Sequence, residues 1–550
     1  MDRDKRLNQI VSPSGPLPLC AIVGTVIGGL IVRVGLPNIP LADGDTWGYL
    51  HPALSWLNGL GFRQTLGRDW LYPALVAGIL KIGGDFSAIS YIQRFLGLAG
   101  LLIFWLNWRS FKQLLPEQKP VSHWICFGLT LSLFALYALS PQQALLEDTI
   151  QPEAMMAFFE MAYLFCLVSF FSARWRLRLP GRTIAFGAGV LGLSYVLLLL
   201  KPSWGFSFGF SILCVAIGSF GRASRLVRFG PLLAGGTIIL LLFFLPKLLI
   251  FQKDADSRLF LPFTLVSIHA SQILETNPNN NSLDVNGSDA APQLFYEELA
   301  KAFQTAKEKP GHYSALGFDA DYILYFSRFF SIIQQKEGWN DAELAAACYS
   351  TYFRAWLRAP GSMAQKVWKQ IDLFLFPRAG NFYSTGQLVD LNHELANSRT
   401  FLPGDQHSPG LPKNYQSYLE RLERPEKNRS HPLGFSFVAK LAFWFARASC
   451  WIQLAFFAVM VAVCLSRKER NLRLAGFVIV AVLAATYGNV LTIAVVHSLD
   501  VVRYRITYAP GFLLGMAMVT NYLLILALNR RSFGEPDRNS AAVEANIGQT

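Results

Sequence analysis

The sequence carries little charge. Only 15% of its 550 residues are Asp, Glu, Lys or Arg, whereas 52% are hydrophobic and the mean hydropathy is +0.32. This composition excludes an ordinary soluble protein and indicates a chain that lies in a lipid bilayer. The net charge of +13 would suggest nucleic acid as the partner of a soluble protein. Here the Lys and Arg residues lie mostly in short stretches between apolar runs, a sign of membrane topology, and we expect no nucleic-acid partner.

Motifs for nucleotides and metals are also lacking. The sequence has no Walker loop, Rossmann fingerprint or G-x-S-x-G elbow, which argues against an ATPase, a nucleotide-dependent oxidoreductase or a typical lipase. Its cysteines form no disulfide framework or zinc motif, and its histidines lack metal-ligand spacing. We therefore assign no metal ligand and no cofactor, while a divalent cation beside a phosphate is left open. No internal repeat of the kind that marks many secondary transporters is present.

Long apolar runs dominate what is present. A membrane span needs roughly 20 mostly apolar residues to cross a hydrocarbon core of about 30 Å. Ten segments meet or nearly meet this length: residues 17–36, 86–106, 123–140, 153–173, 183–200, 204–220, 229–250, 436–465, 474–494 and 508–528. An eleventh, 70–84, is short, and we expect it to be re-entrant or half-spanning. The sequence thus predicts an all-α polytopic membrane protein with about 10–11 transmembrane helices.

Basic loops set the predicted topology. With the N-terminus inside, the Lys- and Arg-rich loops between spans all fall on the cytoplasmic side. Residues 1–250 then form an N-terminal transmembrane module with an acidic loop at 37–70. Residues 251–435 form a mainly helical extracytoplasmic insert, with helical periodicity at 293–309 and 340–357. Residues 436–550 supply the last transmembrane helices and a cytoplasmic tail.

Two acidic loops are predicted to share the extracytoplasmic face. Asp43 and Asp45 follow the first span, where two carboxylates could deprotonate an acceptor hydroxyl or hold a cation near a phosphate. A solvated turn with an Asx cap is the simpler reading. Glu147, Asp148 and Glu153 lie in the second loop, and Glu153 would begin the next helix just after Pro152. These carboxylates either cap that helix or converge with those of the first loop on one pocket.

Basic residues on the same face need a partner of opposite charge. The candidates are Arg68, Lys201, Arg503 and Arg505. A phosphate would satisfy them, because an Arg fork binds phosphate oxygens with two hydrogen bonds. Pairing with loop carboxylates, or a position at a helix end with the charge in water, is the alternative.

These segments together resemble the GT-C superfamily of membrane glycosyltransferases, most closely the dolichyl-phosphate-mannose protein mannosyltransferase and aminoarabinose transferase-like families. The resemblance rests on Asp45-Thr46-Trp47-Gly48-Tyr49, Gly67-Arg68-Asp69-Trp70-Leu71-Tyr72-Pro73, Gln93-Arg94, Leu200-Lys201-Pro202 and Arg503-Tyr504-Arg505. It covers residues 17–250 and 495–528. Many relatives have two adjacent acidic residues in the first loop, where this chain has Asp45-Thr46, and no known motif matches the insert.

The resemblance implies a function. A GT-C enzyme moves a sugar from a polyprenyl-phosphate donor in the membrane to an extracytoplasmic lipid, glycan or protein. By this likeness Asp45 would be the catalytic base, and Asp43 would be the second candidate for that role. Arg68, Lys201, Arg503 and Arg505 would bind the donor phosphate, and Asp148 and Glu153 would belong to the second acidic loop. The expected location is the inner membrane of a bacterial cell envelope.

Two other functions are compatible with the sequence. A transporter or flippase of lipid-linked glycans would also bind phosphate, but it predicts charged or broken helices at the midplane. The spans have few internal charges, with Lys440 and Arg447 as the main exceptions. A scaffold or sensor that binds a partner through the insert would tolerate replacement of Asp45.

Overall fold

A computed structural model describes most of the chain. The residues it describes are 16–62, 68–116, 120–220, 224–250, 259–277, 293–309, 313, 315–375, 391–403, 413–424, 455–456, 459–460, 470–499 and 502–528. In this part of the chain the regular elements are helices, and the extended pairing consists of one isolated bridge between Leu41 and Thr149. The predicted all-α fold class is confirmed.

The first half of the chain supplies most of the membrane bundle. Its helices are α1 (Pro16–Val34), α2 (Thr46–Leu57), α3 (Leu71–Gly83), α4 (Ser87–Lys112), α5 (Pro120–Ala138), α6 (Pro141–Glu147), α7 (Glu153–Phe171), α8 (Pro180–Leu200), α9 (Gly205–Ser219), α10 (Arg225–Ile239) and α11 (Leu245–Ile250). Several begin at proline, whose fixed φ suits the first turn of a helix. Ser140 caps α6 by accepting a hydrogen bond from the backbone N of Gln143 at 3.2 Å.

The insert and the C-terminal region supply the remaining helices. They are α12 (Phe260–Ile268), α13 (Ala270–Glu275), α14 (Gln293–Lys307), α15 (Phe329–Glu337), α16 (Asp341–Arg358), α17 (Pro360–Leu375), α18 (Leu391–Thr400), α19 (Lys413–Glu423), α20 (Arg470–Val496), α21 (Val502–Thr507) and α22 (Ala509–Leu528). The two helices expected from periodicity at 293–309 and 340–357 are confirmed as α14 and α16. Asn340 and Glu343 cap the N-terminus of α16 with a reciprocal capping box.

Nine helices within the described ranges are long and apolar enough to cross a membrane. They correspond to nine of the ten predicted spans, and the tenth, 436–465, lies almost entirely outside the described residues. The short segment 70–84 forms α3, which has 13 residues. At about 1.5 Å per residue it is too short to cross the hydrocarbon core as a straight helix. The boundaries of the three predicted regions stay predictions.

Helix α7 lies at the centre of the bundle. It packs against α4, α8, α20 and α22, and most of its side chains are buried. A helix that is apolar all round needs neighbours on every side, which fits this position. Its first residue, Glu153, follows Pro152 as predicted. Two charged residues lie inside predicted spans in addition to Lys440 and Arg447. They are Glu160 of α7 and Arg94 of α4, and both are buried.

The insert consists of two parts. The helices between 260 and 375 share a hydrophobic core of their own, which includes Phe295, Ile333 and Cys348. Helices α18 and α19 instead bury side chains in the main core of the bundle. Tyr418 of α19 stacks on Phe86 with ring centroids 4.3 Å apart. The second part of the insert is therefore packed on the end of the bundle next to the first acidic loop.

Candidate active site

The two acidic loops are joined through their backbones. The N–H of Leu41 donates to the carbonyl of Asp148 at 2.8 Å, and the N–H of Ile150 donates to the carbonyl of Leu41 at 2.9 Å. The hydroxyl of Thr46 adds a hydrogen bond to the carbonyl of Ile150 at 3.2 Å. This pairing holds Asp43 and Asp45 beside the start of α7.

Asp43 shapes the first loop. One of its carboxylate oxygens accepts hydrogen bonds from the backbone N of Asp45 at 3.0 Å and from the hydroxyl of Thr46 at 3.2 Å. This is the Asx turn expected from the simpler reading of the motif. The other oxygen accepts from the guanidinium of Arg503. Asp43 therefore serves as a turn residue and as part of an ion-pair cluster.

Arg503 links three carboxylates. Its two terminal nitrogens contact Asp43 and Asp45, and its Nε lies 3.8 Å from Oε1 of Glu153. Arg68 donates to the second oxygen of Asp45, and Nζ of Lys201 donates to Oε1 of Glu153 at 2.8 Å. We call this group the charge cluster; its members are Asp43, Asp45, Glu153, Arg68, Lys201 and Arg503.

Tyrosines cover the cations of the charge cluster. Nζ of Lys201 lies 3.7 Å from the ring centroid of Tyr504, and Cζ of Arg68 lies 5.0 Å from that of Tyr49. The sequence reading gave neither tyrosine a role, although both stand inside the motifs that carry the resemblance. Arg505 lies in α21, but its side chain is outside the described residues.

The pKa values of the two aspartates are shifted in opposite directions. Burial raises the pKa of Asp43, and Arg503 opposes this only in part. Burial would also raise the pKa of Asp45, but Arg503 and Arg68 outweigh it and the net pKa is lowered. Asp45 is thus the aspartate held firmly in its ionised form.

The insert positions the Arg503 helix. Nζ of Lys366 in α17 donates to the carbonyl of Ala494 at 2.7 Å, and Gln370 accepts from the hydroxyl of Ser498 at 2.9 Å. Both contacts fall on the end of α20 and the turn that leads into α21. The ring of His497 in this turn lies 5.6 Å from that of Tyr504. The insert therefore supports the segment that carries Arg503.

Asp148 and Glu147 are engaged away from the charge cluster. Asp148 accepts from Arg94 at 2.9 Å, and burial raises its pKa to about 6 although Arg94 opposes this. Arg94 also donates to the side-chain oxygen of Asn38 at 3.0 Å, at the start of the first loop. The two loops thus bring Glu153 close to Asp43 and Asp45. Asp148 instead binds Arg94, which connects the second loop to the start of the first. A catalytic role for Asp148 or Glu147 stays a prediction.

Glu147 forms a buried bidentate pair with Arg33 of α1. The two contacts are 2.6 Å and 2.7 Å long, and the side chains are 0% and 1% exposed. The carboxylate also sits against Gly97, where an added Cβ would lie 2.2 Å from it. Any larger residue at 97 would displace the pair. Sequence reasoning did not identify Arg33, because it lies at the end of an apolar span.

Loss of Arg33 should destabilise the bundle. We expect Arg33→Leu to lower the free energy of unfolding by about 3–5 kcal/mol, because it leaves a buried carboxylate unpaired. The double variant Arg33→Leu/Glu147→Leu should recover most of this loss, since it buries no charge. Unfolding of the purified protein in detergent measures both. A single variant as stable as the double would contradict the account.

Comparison of this chain with known proteins gives few matches. No sequence family and no curated protein matches the chain. Among solved structures, the apo oligosaccharyltransferase of Archaeoglobus fulgidus overlaps 97% of this chain and 52% of its own, with a TM-score of 0.40 and 13% identity. The oligosaccharyltransferase AglB of the same organism, in complex with an inhibitory peptide and a dolichol-phosphate, overlaps 88% of this chain and 56% of its own, with a TM-score of 0.33 and 13% identity. The chain spans about half the length of these structures, and overlaps this loose carry no conclusion about family or activity.

Proposed function

We propose that the protein is an integral membrane glycosyltransferase that moves a sugar from a polyprenyl-phosphate donor to an extracytoplasmic acceptor. The observation that carries this proposal is the charge cluster, in which Arg503 holds Asp43 and Asp45 together and faces Glu153. The cluster contains three carboxylates and three cations, so its charges cancel. A phosphate that enters would compete with the carboxylates for the guanidinium groups. Its binding would release Asp45 from part of its pairing.

The location of the cluster suits a lipid-linked donor. Glu153 begins one candidate span, and Lys201 follows directly on another. A polyprenyl tail could stay among the apolar helices while its phosphate meets Arg503, Arg68 and Lys201. This arrangement needs no nucleotide pocket, which fits the absence of nucleotide motifs from the sequence.

The proposed reaction is a single displacement. Asp45 takes the proton from the acceptor hydroxyl as that oxygen forms a bond to the anomeric carbon. The bond from that carbon to the donor phosphate breaks, and the phosphate leaves with the electron pair. Arg503, Arg68 and Lys201 stabilise the negative charge that develops on the leaving phosphate. The configuration at the anomeric carbon inverts.

In the described part of the chain, no three His, Cys, Asp or Glu side chains are placed to hold a metal ion. The carboxylates of the charge cluster contact guanidinium or ammonium groups instead. The proposed mechanism assigns stabilisation of the phosphate to Arg503, Arg68 and Lys201.

Transport of lipid-linked glycans is the second candidate, and Glu160 favours it. This buried carboxylate lies seven residues into α7, about 10 Å from Glu153 along the helix, and has no side-chain partner among the described residues. An added Cβ at Gly511 would lie 2.2 Å from its Oε1. An ionisable group inside a span often marks a transport pathway.

One vesicle assay separates the two functions. Purified protein is placed in vesicles with a fluorescent polyprenyl-phosphate sugar and a panel of simple glycan, lipid and peptide acceptors. Release of polyprenyl phosphate with a covalent product supports transfer. Movement of the intact donor across the bilayer without cleavage, lost in Glu160→Gln, would support transport and overturn the glycosyltransferase proposal.

Lys201 should give the transfer reaction a basic pH limit. Burial lowers the pKa of its ammonium to about 8, although Glu153 opposes this. Below this pH the side chain is charged and can bind the donor phosphate, and above it the charge is lost. The initial transfer rate should therefore fall as the pH rises through about 8. Lys201→Arg should remove this fall, because a guanidinium stays charged throughout the range. A Lys201→Arg enzyme with the same limit as the wild type would exclude Lys201 as its source.

A further inference from the structure

The second part of the insert is fastened to the first acidic loop. The N–H of Ala42 donates to the hydroxyl of Ser398 at 2.9 Å, and the hydroxyl of Tyr418 donates to the carbonyl of Pro40 at 2.7 Å. These bonds place the turn after α18 beside the acidic pair. The ring of Phe401 in this turn is 45% exposed, and its edge lies 3.9 Å from where a Cβ on Gly44 would stand. Gly44 separates Asp43 from Asp45, so an exposed aromatic ring lies beside the residue between the two aspartates.

The first part of the insert contributes rings near Arg68. Cζ of Arg68 lies 5.9 Å from the ring centroid of Phe260, at the start of α12. Tyr325 belongs to a π-helical turn, Tyr322–Phe326, and is 50% exposed. Such turns are rare and occur frequently at functional sites. Arg328 follows the turn with φ +57°, a left-handed conformation unusual for a residue with a side chain.

Tyr325 is electrostatically coupled to the charge cluster. The pKa of its hydroxyl is raised to about 12, first by burial and then by the negative charge of Asp45, while Arg68 opposes both. At neutral pH the hydroxyl therefore stays protonated and can donate or accept a hydrogen bond. Phe401 lies beside Gly44 of the first acidic loop, Phe260 lies beside Arg68, and Tyr325 belongs to the π-helical turn in the same part of the insert as Phe260. We call these three rings the aromatic rim.

We propose that the aromatic rim is the acceptor subsite and that it binds a sugar ring, so that the acceptor is a carbohydrate or the sugar headgroup of a glycolipid. This inference rests on the proposed function and specifies its acceptor. A sugar ring has an apolar C–H face that packs on an aromatic ring, and a hydroxyl edge that bonds to carboxylate, guanidinium and phenol groups. The rim places these two kinds of group side by side.

Other occupants fit these groups less well. An acyl chain would remove water from Asp43, Asp45 and Arg68 without replacing their hydrogen bonds. An extended peptide that binds by strand addition gains its affinity from main-chain hydrogen bonds to a free strand edge. The described insert is helical, and its helices satisfy most of their own backbone groups. A sugar ring can use both the exposed rings and the charged side chains.

Binding of simple glycosides tests the rim without requiring turnover. Saturation-transfer NMR is performed on the full-length protein in nanodiscs with methyl glucoside, methyl mannoside and methyl galactoside as probes. We expect saturation of the C–H protons of one ring face for at least one probe. Tyr325→Leu and Phe401→Leu should each weaken its binding roughly 3- to 10-fold, the contribution typical of one aromatic contact. Phe353→Leu is the matched control, because this ring is on α16 of the same insert, is 58% exposed and packs on Tyr352.

Several outcomes would overturn the proposal. These are no saturation with any of the three glycosides, equal binding by the rim variants and the wild type, an equal loss in Phe353→Leu, or saturation of a serine-containing peptide probe alone. The test is independent of the glycosyltransferase proposal. Glycoside binding at the rim with no transfer in the vesicle assay would keep the rim as a sugar-binding site but refute the reaction and, with it, the acceptor role of the rim. Transfer with an unchanged acceptor KM in the rim variants would support the reaction and refute the rim as its acceptor subsite.

Discussion

Replacement of Asp45 by asparagine should reduce sugar transfer about 10²- to 10⁴-fold, the usual contribution of a general base. Asparagine has nearly the same shape but cannot take the acceptor proton. The variant should remain folded, because the turn of the first loop depends on Asp43 and Thr46 rather than on the Asp45 carboxylate. The measurement is the initial transfer rate at saturating donor, alongside the unfolding transition in detergent.

Asp43→Asn is the matched control for this variant. It removes one carboxylate from the same guanidinium, while an asparagine oxygen can still accept the hydrogen bonds of the turn. We expect a much smaller loss of rate than for Asp45→Asn, because the ionised base is still present. Equal losses in both variants would indicate that the carboxylates act only through Arg503. Full activity of Asp45→Asn would exclude Asp45 as the base.

Arg503→Gln should produce the second large effect. We expect kcat to fall about 10²- to 10³-fold, the typical cost of one donor that stabilises a developing negative charge. The donor KM should rise as well. Arg503→Lys should recover little, because a single ammonium cannot replace two nitrogens that contact Asp43 and Asp45 at once.

Arg421→Lys provides a comparison outside the charge cluster. Arg421 contacts Asp85 at 3.0 Å and the carbonyl of Asn38 at 3.0 Å. It lies near the first loop but contacts no carboxylate of the charge cluster in the described structure. Its replacement should leave the donor KM within about twofold, as expected for a partly exposed ion pair of small energetic value. If Arg503→Gln changed the donor KM no more than Arg421→Lys, phosphate binding by Arg503 would be refuted.

The membrane helices could be predicted from the sequence because their signal is local. A run of about 20 apolar residues is visible without knowledge of its neighbours. The helices α14 and α16 of the insert were likewise predictable, because their apolar residues repeat with the helical period. The two-part packing of the insert was not, since Tyr418 contacts Phe86 and Pro40 across more than 300 positions of sequence.

The candidate site was predictable only in part, because ion-pair partners are far apart in the sequence. The residue types of the charge cluster were identified, but nothing in the sequence shows that Arg503 reaches Asp43, 460 positions away. Glu147 and Asp148 looked equivalent to Glu153, yet Arg33 and Arg94 engage them elsewhere. Glu160 was overlooked because one carboxylate hardly lowers the mean hydropathy of its span.

The most direct test of the charge cluster as a donor phosphate site is a cryo-EM structure of the protein in nanodiscs with polyprenyl phosphate. We predict that the phosphate contacts Arg503, Arg68 and Lys201, and that Asp45 loses at least one of its guanidinium partners. A phosphate bound elsewhere, with Arg503 still held by both Asp43 and Asp45, would contradict the account.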